Sequence, residues 1–575
     1  MHKRWIKKQF DPSIASQLEN TLKIHPIFCR LLSQRGIKTF QEAKEFFRPN
    51  LNKLHDPFLM KDMEKAVDRL LYAKKRNQKI LIYGDYDVDG TTSVALVYSF
   101  LKDYFDHIDY YIPDRYKEGY GVSIQSIDFA SENGYELIIA LDCGVTAIDQ
   151  VKYAKSKNID YIICDHHLPK DELPVAHAIL DPKRSDCKYP FKELSGCGVG
   201  FKLMQAFCLR QKLSQEKLFQ HLDLLAISIA CDIVSVQGEN RTLAYYGLKK
   251  LNESPRKGLE IILEAGGIKT IDTTTGEICY KEINLTDVVF KIGPKINAAG
   301  RIGDAKDAVK MMISEDFELG NEFGNLLLDR NEERLGLDKE TTQEVLEAIE
   351  NNAILKERKS TVMYGPHWHK GVIGIVASRV IEKHYKPTIL LTLSNGLATG
   401  SARSVQGFDV HAAINACRDL LENFGGHKYA AGLSMKPENV EAFVERFEYV
   451  VQSTITEDQL TPEIEIDAEI DIDLLDEKFY NILQQMGPFG PDNRRPVFLS
   501  SNLQDNGHSR VVGEEHLKLG LKDNRTNKSI SGIAFGMGDK IQEIYKSNDL
   551  HLCYSVSENE WKGKKSLQLD VKDIK

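Results

Sequence analysis

Three short apolar runs, each ending in acidic residues, constrain the fold of this chain more than anything else in its sequence. Residues 80–83 (ILIY) lead through Gly84 to Asp85, Asp87 and Asp89; residues 137–141 (LIIAL) end at Asp142; residues 161–164 (YIIC) end at Asp165, His166 and His167. A short apolar run bounded by polar residues is the pattern of a buried strand. Helix-length segments separate the runs, so their order predicts a parallel sheet in an α/β fold, with the acids at the carboxyl ends of its strands. Open sheets of this kind bind ligands along that edge.

The acids carry the chemistry. In an extended segment Asp85, Asp87 and Asp89 project to one side. Crowded carboxylates repel one another unless a divalent cation holds them; carboxylate oxygens suit Mg²⁺ or Mn²⁺, and a mixed Asp/His set favours a transition ion such as Mn²⁺ over Ca²⁺. Gly90 is expected to break the strand, and Thr91, Thr92 and Ser93 to start a helix over 94–101. A plainer reading makes the aspartates caps for that helix. Asp232 follows the apolar helical run 222–230 (LDLLAISIA), where a buried carboxylate needs either a metal or a capping role. Asn240 and Arg241 beyond it read equally as substrate contacts or as a surface turn.

Other segments offer phosphate donors. Residues 110–121 end a strand in a glycine- and tyrosine-rich loop with Arg115, which can present a guanidinium to phosphate and rings to bases. Residues 291–304 (KIGPKINAAGRIGD) show neither helix nor strand period. They read as a basic loop in which Lys295, Asn297 and Arg301 can contact phosphates. A charged, helix-forming stretch over 305–352 follows, and then a second α/β region with Arg379 beside a helix and a strand. Gly400 to Ser404, with Ser401 and Arg403, has the composition of an anion-binding turn, and Gly425-Gly426-His427 opens another. Residues 463–473 alternate isoleucine with acid, the pattern of a half-buried strand, and later short runs suggest a small β-barrel.

The motifs GDYDVDGTTS, ALDCGV, CDHHLP and SIACDIV occur in this order and resemble those of the DHH phosphoesterase superfamily. KINAAGRIGDA, WHKGVIGIVASRV, GSARSVQGFDVHAA and GGHKYAAG narrow the resemblance to its RecJ branch, the single-strand-specific 5′→3′ exonucleases. The resemblance runs from about residue 20 to the C-terminus. It implies a helical N-terminal region packed on the catalytic domain (1–75), a DHH catalytic domain (76–302), a helical linker (303–355), a DHH-associated domain (356–455) and an OB-fold that binds single strands (456–575). One departure stands in PFGPDNRRPVF, where Asp492 occupies a position the family gives to glycine.

The same resemblance implies the division of labour. Two ions, Mn²⁺ or Mg²⁺, are expected: one on Asp85, Asp87 and Asp142, the other on Asp89, Asp142, His166 and Asp232, with Asp142 bridging. His167 is expected to face the scissile phosphate and Asp165 to orient a histidine. Arg115, Lys295, Asn297, Arg301, Arg379, Ser401, Arg403 and His427 are expected on the substrate. Single-stranded DNA is the implied partner of a monomer, with a single-strand-binding protein and a RecQ-type helicase as candidate protein partners. A DHH enzyme of small substrates, such as oligoribonucleotides or cyclic dinucleotides, would share the metal site but would not need the roughly 120-residue β-rich region. A non-catalytic replication scaffold is expected to have lost ligands, whereas all seven positions stand here. An endonuclease would use the same ligand spacing.

Charge looks adverse at first. The formal net charge is −9, but eight acids against one lysine between 463 and 478 account for −7 of it, which leaves room for a local basic groove. The start MHKRWIKKQF lacks the apolar core of a signal peptide, and no apolar run is long enough to span a bilayer, so a cytoplasmic protein is expected. The ten cysteines include no CxxC pair; Cys143, Cys164 and Cys231 read as small buried hydrophobes.

Overall fold

The computed structural model describes residues 3–271, 278–561 and 564–575. The chain forms two compact units, one of Pro12–Asn331 and Asn481–Arg495, the other of Met1–Asp11, Glu332–Tyr480 and Pro496–Lys575.

The three apolar runs are strands of one parallel sheet in the first unit. Ile80–Gly84 (β1), Ile108–Tyr111 (β2), Leu137–Leu141 (β3), Asp160–Cys164 (β4) and Ala178–Leu180 (β5) pair in the order β2-β1-β3-β4-β5. Both faces are covered. Ile80, Ile82, Leu137, Ile139 and Leu141 point into one core, and Leu81, Tyr83, Ile138 and Ala140 into another. That double burial explains why the strands read as unbroken apolar runs. From β1 the chain goes to β2 on one side and to β3 on the other, so a topological switch point lies between β1 and β3. A ligand crevice forms outside the carboxyl ends of such a pair.

Three helices close around that crevice: Val88–Leu101 (α1), Gly196–Gln211 (α2) and Leu222–Cys231 (α3). All three are almost wholly buried, which fits their lack of a polar face. α1 starts at Val88, not at residue 94. Asp87 is its N-cap and accepts a hydrogen bond from Gly90 N at 3.0 Å, which draws 88–93 into the helix. The capping role and the cluster of acids therefore coexist.

Residues 293–302, expected as a loop, form the helix Gly293–Ile302 after a π-helical turn, Val288–Ile292. Its buried face consists of Gly293, Ile296, Ala298, Ala299 and Gly300, too small and too evenly spread to show a hydrophobic period. A Cβ on Gly300 would fall 2.5 Å from the Tyr86 carbonyl oxygen, so glycine lets this helix abut the backbone between Asp85 and Asp87.

The second unit holds two large sheets and one small one. In one large sheet, Asn423–His427, Ala430–Met435, Leu397–Arg403, Thr388–Ser394 and Thr361–Tyr364 are neighbours in that order, with the helix Ile373–Lys383 packed on it. Two expected turns are corrected here. Ser401 and Arg403 lie within a strand, and Gly425-Gly426-His427 lies in an exposed edge strand. Glycine at 425, 426 and 432 allows close strand pairing without side chains, which the composition disguises as loop. The other large sheet is a barrel in which Phe498–Asp505 pairs with both Leu550–Trp561 and His516–Asp523.

The alternating stretch 463–473 is not one strand. Glu463–Ile466 pairs in parallel with Arg4–Lys7, Ala468–Glu469 joins the barrel, and Ile472–Leu474 is a 3₁₀ turn. Residues 4–7 thus leave the helical N-terminal region; Arg4 bonds Asp458 and Glu463, and Lys7 bonds Glu469 at 2.7 Å. The long helix Phe317–Glu350 connects the two units in sequence. No described helix is long and apolar enough to cross a membrane, and the described cysteines are free.

Candidate metal centre and nucleic-acid site

Asp85, Asp142 and Asp165 each follow a strand of the parallel sheet, and Asp232 caps the end of α3. The four segments meet around His166. Its Nε2 lies 3.2 Å from Asp142 Oδ1, 3.5 Å from Asp232 Oδ2 and 3.8 Å from Asp89 Oδ2. Two donor sets result, Asp89–His166–Asp232 and Asp142–His166–His167, each with its ligand atoms within 4.8 Å of one another.

The electrostatics are those of a cation site. Asp85 Oδ2, Asp142 Oδ1, Asp232 Oδ2 and both ring nitrogens of His166 are buried without a hydrogen bond. Burial first, and then neighbouring carboxylates, push the pKa of Asp85, Asp87, Asp142 and Asp232 upward. Burial also pushes His166 down to about 4, against the pull of Asp89, so its imidazole is neutral, the form that ligates metals. Buried acceptors without donors are costly, and a divalent cation among them removes both the desolvation and the repulsion. The residues fit such an ion.

Strained backbone lies at one ligand and beside another. Asp142 has φ 61° and the β-branched Ile233, next to Asp232, has φ 58°. Left-handed conformations at non-glycine residues cost about 1–3 kcal/mol and persist where the surroundings impose them. A Cβ on Gly196 would stand 2.6 Å from Asp142 Oδ1, so only glycine there leaves room for the carboxylate. Asp89 is held differently: it accepts from Gly196 N at 2.6 Å, Cys197 N at 3.0 Å and Ser228 Oγ at 2.7 Å, at the N-terminus of α2. Asp85 and Asp87 stand beside this cluster but outside the two tight donor sets.

Asp165 is turned from the cluster toward its own neighbours. It accepts from His167 Nδ1 at 2.7 Å, Val145 N at 2.9 Å and His166 N at 2.7 Å. Burial works to raise its pKa, but the His167 bond and charge hold it at about 2. The same bond raises His167 against its burial. The other ring nitrogen, Nε2, meets Tyr120 Oη at 3.0 Å. Tyr120, Ser228 and Gly196 were not singled out from the sequence; only the tyrosine-rich loop hinted at the first.

Three domain families match the chain: the DHH family, N-terminal domain over 79–229, the DHHA1 domain over 357–453 and the RecJ OB domain over 466–573. The chain is 35% identical to the single-stranded-DNA-specific exonuclease RecJ of Bacillus subtilis, across 99% of this chain and 70% of that protein. It belongs to the RecJ family. The RecJ of Escherichia coli is 30% identical across 96% of both chains. The crystal structure of Thermus thermophilus RecJ in complex with Mn²⁺ superposes with a TM-score of 0.83 at 26% identity, covering all of this chain and 79% of that one. The Mg²⁺ complex of the same protein gives 0.77 at 25%.

The remaining RecJ-type positions fall into groups. Arg115 stacks over Tyr86, with Cζ 5.0 Å from the ring centroid. Tyr116 donates to the Arg301 carbonyl, and a cavity of about 270 Å³ lies between the Arg115 loop and residues 300–306. Lys295 donates to the Lys291 carbonyl at 2.6 Å, and Asn297 is half-buried on the same helix. In the other unit, Arg403 Nη1 donates to Ser401 Oγ at 3.0 Å and to the Ala402 carbonyl at 2.8 Å. Both side chains press against Gly374, in the first turn of Ile373–Lys383. Arg403 is paired with no described carboxylate, and burial lowers its pKa. Arg379 is placed otherwise: Nε and Nη2 both donate to Asp338 Oδ2, at 3.1 and 2.8 Å. His427 is exposed on its edge strand. Arg241 is no surface turn; it is buried on the helix Gly238–Glu253. Asp492 has a left-handed backbone, φ 59°, the conformation that favours glycine.

Proposed function

We propose that this RecJ-family chain is a metal-dependent 5′→3′ exonuclease that removes 5′-mononucleotides from single-stranded DNA. The convergence of Asp89, Asp142 and Asp232 on one face of His166, with acceptor oxygens lacking donors, carries the reading. Asp85, Asp87 and Asp142 would hold one Mn²⁺ or Mg²⁺ and Asp89, Asp142, His166 and Asp232 the second. Such a pair supplies the Lewis acidity that makes water a nucleophile at neutral pH and offsets charge on the phosphate.

The protein's own groups do the rest. His167, whose Nδ1–H donates to Asp165, is held toward its protonated form, and as an imidazolium it donates from Nε2 toward the scissile phosphate after releasing Tyr120. Arg115, Lys295, Asn297 and Arg301 neutralise the neighbouring backbone, a contribution that weakens with salt. Arg403 with Ser401, beside the start of an eleven-residue helix, reads the terminal 5′ phosphate, with Arg379 and His427 flanking it. The barrel holds the strand by backbone charge and stacking. Action in recombination and repair in the cytoplasm, as a monomer recruited by a single-strand-binding protein and a RecQ-type helicase, completes the proposal.

Digestion of strands labelled at either end, with Mn²⁺, is the test. Labelled mononucleotides appearing first from the 5′ end of single strands, with duplexes spared, support it. Internal fragments would make the protein an endonuclease.

A further inference from the structure

A second constellation lies among the N-terminal helices of the first unit. Arg241 is 5% exposed, its Nε has no hydrogen-bond partner, and Nη2 is spent on the Gly487, Met486 and Gln485 carbonyls. Its guanidinium lies over Phe46, with Cζ 3.9 Å from the ring centroid. Arg48 converges on the same segment, Nη1 reaching Gln485 Oε1 at 3.0 Å. Among the described residues no carboxylate pairs with either guanidinium. A buried charge without a counterion is unstable, and arginine cannot shed its proton to relieve it.

The two arginines stand at the junction of two cavities, of about 340 and 850 Å³. Three of the four acids on the walls of the smaller one are already committed, and the fourth, Asp492, is exposed to solvent. Glu239 pairs with Lys202 at 2.8 Å, Glu45 with Lys53 at 3.0 Å, and Glu42 accepts from the Lys38 and Thr39 amides. The uncompensated charge at the junction is therefore positive. Tyr245, Tyr246 and Phe489 line the larger cavity and offer ring faces to a planar group. The cavity volumes suit a small molecule.

We infer that Arg48 and Arg241 hold the phosphate of a nucleoside monophosphate whose base lies among Tyr245, Tyr246 and Phe489. A phosphate dianion supplies the missing counterion, and a guanidinium fork matches its oxygens. None of these residues belongs to the metal centre, so this is a second nucleotide site.

Equilibrium dialysis of the full chain with dTMP in EDTA tests the inference. The wild type retains dTMP, does not retain thymidine, and binds inorganic phosphate more weakly than dTMP. Arg48→Ala alters an exposed side chain, and weakens dTMP binding about ten-fold or more while cleavage of single strands with Mn²⁺ is unchanged. Arg241→Gln shows the same loss if it folds. Absence of retention by the wild type, or equal retention by Arg48→Ala, overturns the site. Phosphate binding as tight as dTMP overturns the nucleotide assignment. Loss of dTMP binding and of cleavage together in Arg48→Ala returns the bound nucleotide to the metal centre and also overturns it.

Discussion

His167 Nδ1 lies 2.7 Å from Asp165 Oδ1, and that carboxylate is anchored in turn by the Val145, His166 and His167 amides. The aspartate therefore orients the ring and favours its protonated form, whose Nε2–H is the proton available to substrate. Asp165→Asn preserves size and an acceptor oxygen but removes the negative charge that stabilises the His167 imidazolium. A fall in kcat of roughly a hundred-fold or more is expected, with little change in strand affinity. Steady-state kinetics and a binding titration check this; an unchanged kcat would remove His167 from the reaction.

Polarity is expected to depend on Arg403. Arg403→Ala should impair cleavage of 5′-phosphorylated strands more than of 5′-hydroxyl strands and so narrow the difference between them. One charge-assisted contact is about 1.5–3 kcal/mol, or roughly ten- to a hundred-fold in rate. Comparison of kcat/KM for the two end types in both proteins decides. An equal loss on both would assign Arg403 to support of its own sheet.

Asn493 makes a fold-level prediction. It is buried, donates to the Met486 and Pro488 carbonyls at 2.9 Å each, and accepts from Arg35 Nε at 2.8 Å. These bonds return residues 481–495 to the first unit. Asn493→Ala leaves the buried Pro488 carbonyl without its donor and removes bonds to the Met486 carbonyl and to the half-buried Arg35, and a loss on the order of 2–3 kcal/mol is expected. Denaturant unfolding of wild type and variant measures it.

The pH dependence of stability should include His221. Arg256 Nη2 donates to its Nδ1 at 2.8 Å, which requires a neutral ring, and burial, followed by the Arg256 charge, pushes its pKa down to about 3. Its folded pKa lies below the unfolded value of about 6.5, so the unfolded chain binds the extra proton. Stability is complete above that value and is lost as pH falls toward 3, by about 2 kcal/mol at pH 5. His221→Gln should flatten the slope between pH 7 and 5 in unfolding experiments. A slope identical to wild type would mean that this histidine titrates normally.

Much of the centre was legible because burial on both sheet faces writes strands as apolar runs, and a parallel sheet brings their ends to one edge. Asp85, Asp142 and Asp165 could be found that way, and Asp232 by its place at the end of the apolar helix Leu222–Cys231. Other features depend on contacts that local pattern does not encode. The helix Gly293–Ile302 is held by small residues against Tyr86, and Tyr120 reaches His167 only after folding. The strand position of Arg403 hides in glycine, alanine and serine, residues with turn-like composition. Nor does spacing reveal that Arg379 is drawn to Asp338 or that Asp142 and Ile233 are left-handed.

The metal centre itself is tested most directly by Asp142→Ala, assayed on 5′-labelled single strands with Mn²⁺. Removal of the shared carboxylate should abolish release of mononucleotides, with circular dichroism and single-strand binding close to wild type. Cleavage persisting at more than about a few per cent of the wild-type rate would contradict a centre bridged by this residue.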